Sequence, residues 1–281
     1  MVTLLRPHAW LVSALCLGAC GDNLTHPIGA TPYAPPAPIA LTCVPNLDGQ
    51  ITAAELSPAL GIPVSYLANP ATETRTIDAI GAVDSAGHRV WDLTFPDVDP
   101  VVSIAAAAIS ETWYAAEFPG DAFAVPLDLG QTLEGIYRHD GAELTLLGIA
   151  SHAADPPEGQ TLWHYDAPVV LYRFPLQDGA TWTSVGEVRN GLVRGLPYAG
   201  RDTYTIAVDG AGQLALPDLT FSQVLRVRNT LVSQPAVGQS ATRRQISWLF
   251  ECFGEVARAT AAPGETEEDF THAAEVRRLG L

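Results

Sequence analysis

The chain contains no lysine. Its 15 basic residues are all arginines, set against 31 aspartates and glutamates, for a formal net charge of -16 over 281 residues. So few cations exclude the counterion exchange on which nucleic-acid binding depends, and they exclude docking by charge on an anionic membrane. Transmembrane helices are not expected either, because the N-terminal apolar run at residues 9–19 is about half the roughly 20 residues needed to span a bilayer. Cysteine is scarce, with four in all, and two of them lie within the first twenty residues. Helix signals are sparse, and no repeat recurs at solenoid or propeller periods.

What is present begins at the N-terminus. Arg6 precedes the apolar run, which ends in Leu17-Gly18-Ala19-Cys20. A positive residue, a short apolar core and small residues before a cysteine have the layout of an export signal. The tetrapeptide resembles the lipobox of bacterial lipoproteins, which implies cleavage before Cys20 and acylation of that cysteine. Removal of residues 1–19 leaves 14 arginines against 31 carboxylates, or -17. The resemblance implies a membrane held through lipid on Cys20, stable once two or more chains are attached. Gly21 rather than aspartate after that cysteine points to the outer membrane of a two-membrane cell envelope.

Residues 20–42 carry Pro27, Pro32, Pro35, Pro36 and Pro38, and such a segment makes a disordered, semi-rigid tether. Residues 43–73 form a turn and a short helix on this reading, and residues 74–281 a mainly β domain. Cys43 and Cys252 are left in a compartment that permits disulfides, so a bridge is the simplest fate for the pair, and two buried free thiols the alternative.

From residue 74 the pattern is short β-rich runs between turn residues. Residues 76–83 and 88–93 flank Asp84-Ser85-Ala86-Gly87, and residues 133–139 and 143–149 flank Asp140-Gly141, both hairpin signals. Asp209-Gly210-Ala211-Gly212 reads as a third turn. Residues 223–231 and 244–253 are longer alternating runs, the second with Ile246, Trp248, Phe250 and Cys252 on one face. Residues 52–60 are a helix candidate, and residues 101–109 are ambiguous between helix and strand. Strands without regular intervening helices predict an antiparallel sheet, curved into a half-barrel or sandwich, with one or two short helices.

Within residues 172–259, Arg173-Phe174-Pro175-Leu176, Gly179-Ala180-Thr181-Trp182, Val208-Asp209-Gly210-Ala211-Gly212 and Phe221-Ser222-Gln223-Val224 resemble uncharacterised secreted and lipid-anchored bacterial proteins, notably myxobacterial lipoproteins. Those proteins often join such a region to a Cys-Val-Pro-Asn-x-Asp-Gly segment, as at residues 43–49 here. The resemblance implies a curved antiparallel sheet, loosely similar to periplasmic lipid-carrier half-barrels, and no established activity.

Asn46, Asp48, Gln50 and Glu55 are similar to the latter part of an EF-hand calcium loop, with Gly49 at the sharp turn. Calcium is the cofactor such a segment would take. Val44 stands where the loop needs aspartate, and the same residues also read as a turn followed by a capping box of Thr52 and Glu55. Asp97 and Asp99 add oxygens or form a solvated turn between Pro96 and Pro100. His139 and His164 lack metal partners at ligand spacing, and Ser240 lacks a nucleophile elbow. Trp163, Tyr165, Tyr172, Trp182, Tyr204 and Trp248 either line a groove or fill the core.

The expected function is therefore non-enzymatic. The first reading is a lipid-anchored binding or structural module, with an unidentified protein or ligand as partner. The alternative is a carrier or sensor of a hydrophobic ligand, and an apolar cavity open to solvent is the feature that separates the two.

Overall fold

The computed structural model describes residues 42–95 and 99–280. The export signal, Cys20, nearly all of the tether and Asp97 lie outside the described residues. The described strands are β1 (Gln50–Ile51), β2 (Val64–Ala68), β3 (Arg75–Thr76), β4 (Ala82–Val83), β5 (Arg89–Asp92), β6 (Val101–Ile104), β7 (Ala107–Ala108), β8 (Phe123–Pro126) and β9 (Leu133–His139). There follow β10 (Glu143–Ser151), β11 (Leu162–Arg173), β12 (Leu176–Gln177), β13 (Thr181–Val193), β14 (Leu196–Ala215), β15 (Thr220–Pro235), β16 (Ala241–Phe250), β17 (Gly254–Ala261) and β18 (His272–Leu279).

One hydrogen-bonded path runs β6-β2-β18-β17-β16-β15-β14-β13-β11-β10-β9-β8-β7. It is antiparallel throughout; β3 joins β18 off the path, and β5, hairpinned to β4, pairs in parallel with β14. The mainly β, curved antiparallel expectation holds, with a ladder that is not closed. β2 already belongs to the sheet, so the β structure begins ahead of residue 74.

The path is strongly rolled. Its two edge strands, β6 and β7, are consecutive in the chain with only residues 105 and 106 between them, and three peptide steps reach no further than about 11 Å. Side chains bridge the seam. Gln131 Nε2 donates to the Ser103 carbonyl at 2.9 Å, and Arg277 Nη2 on β18 donates to the Leu127 carbonyl just past β8 at 3.5 Å. Register shifts supply the bending, as β-bulges do. In β10 the shift lies between Leu146 and Gly148 against both neighbours, and a Cβ on Gly148 would overlap the Trp163 carbonyl.

Alternation gives the sheet two apolar faces. On the outer face of β14–β18, Ile246, Trp248 and Phe250 are buried beneath Ile77, Trp91 and Leu93. Trp91 and Trp248 meet edge to face at 6.2 Å. A second outer cluster over β8–β10 packs Tyr114 and Phe118 on Ile136 and Leu147. The inner face carries the remaining core, including Leu146, Ile206, Val227 and Leu249.

Several local expectations are corrected. Residues 52–60 form one turn rather than a helix: Glu55 and Leu56 N–H reach the Thr52 carbonyl, then Ser57-Pro58 disfavours another turn. Residues 101–109 divide between β6, β7 and the start of a 3-10 turn at Ile109–Glu111, the nearest approach to a helix together with Ala115–Glu117. The glycines of residues 209–212 do not turn the chain but lie inside β14. They admit close neighbours: a Cβ on Gly212 would overlap the Arg89 carbonyl, and one on Gly210 would sit 3.3 Å from the Trp91 ring. Asp99 is no solvated turn residue, being 4% exposed and held between Arg75 and Arg278.

Candidate ligand cavity

The inner face does not fill completely. A cavity of about 310 Å³ lies inside the roll, at the lower end of the roughly 300–1,000 Å³ usual for ligand pockets. One wall is apolar: Phe123 and Val125 from β8, Leu144, Leu146 and Ile149 from β10, and Leu171 from β11. The facing wall is mixed, alternating Val227, Asn229 and Leu231 on β15 with Arg243, Gln245 and Ser247 on β16.

The residues of β16 become exposed toward Ala241–Arg243 and are buried from Ile246 onward, which places the mouth by Arg243 and Leu231. The opposite end is plugged by the segment after Cys43. Leu56 reaches the cavity, and Ile51 is 2% exposed in the inner core. Four ties hold this plug: the Cys43–Cys252 disulfide, with Cα atoms 5.6 Å apart; pairing of β1 with β12; the Cys252 N–H on the Glu55 carbonyl at 3.0 Å; and Glu251. Glu251 Oε2 accepts the N–H groups of Asn46 and Leu47, each at 2.7 Å. Cys252 itself lies in the turn after β16, at φ 66°, rather than on the strand face with Phe250.

The predicted calcium residues fall in this plug. Asn46 Oδ1 accepts the Asp48 N–H and Asp48 Oδ1 accepts the Gln50 N–H, both at 2.9 Å. Glu55 Oε2 accepts the Thr52 N–H and hydroxyl at 2.8 Å each, closing the capping box. These side chains satisfy the backbone of two tight turns. Among the described residues, no three His, Cys, Asp or Glu side chains gather as metal ligands do.

Inside the cavity the polar groups are connected. Gln245 Nε2 donates to Ser247 Oγ at 3.2 Å, and Ser247 Oγ donates to Glu255 Oε2 at 2.8 Å. Arg258 donates to the same oxygen from Nε at 2.9 Å and completes an ion pair with it through Nη2 at 2.8 Å. The Glu255 carboxylate holds the half-buried Arg258 guanidinium protonated, above its ordinary range and against the opposing effect of desolvation. Burial pushes the Tyr137 hydroxyl up to about 12 and raises Tyr172 and Tyr204 as well, so these phenols stay neutral. Tyr165 donates to Asp202 at 2.6 Å and lies 3.3 Å from Tyr204, which lines the cavity.

Of the aromatic candidates, Trp182, Tyr165 and Trp248 are core, Tyr172 and Tyr204 border the cavity, and Trp163 packs against Tyr198. His139 and His164 pack at a tilt against Phe174 and Phe118, and Ser240 sits in an exposed loop. Tyr137, Asn229, Glu255 and Arg258 were not foreseen. Their signal is the row Arg243, Gln245, Ser247 opposite Ile246 and Trp248, which in sequence is the pattern of an ordinary solvated face. Compared with protein-family models, curated proteins and solved structures, the chain matches none.

Proposed function

We propose that the protein is a non-enzymatic carrier or receptor for a small amphiphilic ligand bound in the lumen of its rolled sheet, exported and anchored to the cell envelope through Cys20. The observation that carries this reading is the cavity, apolar on one wall and open at one end, in the interior of the sheet. A module that worked only through its outer surface has no use for an unfilled interior, because each missing core contact costs stability. The turns of Asn46 and Glu55 serve in this reading as part of the plug.

The test is titration with N-phenyl-1-naphthylamine, a neutral apolar dye that fluoresces when taken out of water. Saturable binding is expected, weakened at least about tenfold, or roughly 1.4 kcal/mol, by Leu231→Trp at the mouth, with the melting temperature kept. Equal binding by both proteins would remove the proposal.

A further inference from the structure

The lumen makes only part of the hydrogen bonds its walls can make. Glu255 Oε2 accepts from Ser247 Oγ and Arg258 Nε and lies 2.8 Å from Arg258 Nη2, whereas Oε1 accepts no hydrogen bond from the described residues. Asn229 on β15, opposite Gln245, also lines the cavity, but its Oδ1 is sealed from water and so lies beyond the reach of a ligand. The Tyr137 and Tyr172 hydroxyls line the cavity and make no hydrogen bond to the described residues. Glu255 Oε1 and the two tyrosine hydroxyls are open to the cavity, so water or a ligand there completes their hydrogen bonds.

Deep in the lumen the charge is balanced, since Arg258 is paired with Glu255 at 2.8 Å, and the other cation of the lining, Arg243, is exposed at the mouth. An anionic head placed there would compete with Glu255 for Arg258 and would bring no hydrogen for the free oxygen of Glu255. A hydroxyl or amide N–H supplies that hydrogen, and its own oxygen accepts from a tyrosine. We infer that the lumen is selective for an uncharged amphiphile, an apolar body carrying a hydroxyl or primary amide that bonds to Glu255 and to the tyrosine hydroxyls while its carbon skeleton lies on the β8–β11 wall. This rests on the carrier reading above and adds the chemistry of the head.

The experiment displaces N-phenyl-1-naphthylamine from the mature chain with decanol, decanamide, decanoate and decane, which share one chain length. Decanol and decanamide are expected to displace the dye at concentrations at least about tenfold lower than decane or decanoate, the scale of one or two good hydrogen bonds. Tyr137→Phe and Tyr172→Phe, each of which removes one oxygen atom, should each reduce that preference while decane is unaffected. Two variants on different strands guard against one that folds poorly.

Preference for decanoate, lost in Arg243→Ala at the mouth, would overturn the inference in favour of an acid head. Equal displacement by all four, or a preference untouched in both variants, would also overturn it and leave the carrier reading standing. Dye that fails to bind at all would instead sink the carrier reading itself.

Discussion

Glu251 receives the backbone N–H groups of Asn46 and Leu47 on a single carboxylate oxygen, each at 2.7 Å and across more than two hundred residues of sequence. Glu251 is 2% exposed, and bonds from N–H to a charged oxygen are roughly twice as strong as neutral ones. Glu251→Ala should therefore destabilise the fold by about 1–3 kcal/mol, the usual cost of stranded donors. Glu251→Gln, which keeps a neutral acceptor, should lose less. Urea denaturation of the two variants measures the order, and equal losses would contradict it.

The disulfide acts on the same segment from its other end. Cys43 and Cys252 are 209 residues apart, and a loop that long is worth about 5 kcal/mol in the chain-entropy model, against the 2–4 kcal/mol typical of disulfides. Cys43→Ser with Cys252→Ser should lower the urea midpoint accordingly. Adding reductant to the double variant should then change nothing further.

Asp99 ties the stretch before β6 to the far end of the chain. It lies between Arg75 and Arg278, both of which also stack on Phe95, at 5.0 and 4.9 Å from the ring centre. Asp99→Asn removes the charge shared by two buried guanidiniums and should cost about 3–5 kcal/mol, again read by urea denaturation. A loss under 1 kcal/mol would mean that the remaining contacts of the arginines suffice.

Alkaline stability follows from the buried phenols. Burial, the leading cause, pushes Tyr66 and Tyr137 up to about 12 from the ordinary 10. A group whose folded pKa is raised contributes its stability in full below the unfolded value and loses it as pH rises through the folded one. The fold should hold its stability up to about pH 10 and lose it between about pH 10 and 12. Tyr137→Phe should reduce the slope in that window, as followed by circular dichroism at a fixed urea concentration.

The sheet was largely legible because its signals are local. Asp140 accepts the N–H groups of Ala142 and Glu143 at 2.8 Å each, a turn its own side chain encodes, and the β9–β10 hairpin follows. Asp84 does the same before β5. The Asp209 turn failed for a non-local reason: its carboxylate is engaged by Arg226 and Arg228 on β15, and its glycines make room for β5. Rolling was beyond reach as well, since it depends on contacts such as Arg277 with Leu127, 150 residues apart. Without the roll, Gln245 and Ser247 are indistinguishable from residues facing bulk water, and so the cavity wall stayed hidden.

The line where Gln131 meets Ser103 and Arg277 meets Leu127 is closed by side chains, with no run of paired backbone between β6 and β7. Parting it sacrifices a handful of bonds, whereas widening the lumen between β14 and β15 tears a long ladder. A guest larger than the resting space therefore has an inexpensive direction in which to push, and the two-residue link at 105 and 106 sets how far the wall can yield before the chain is taut.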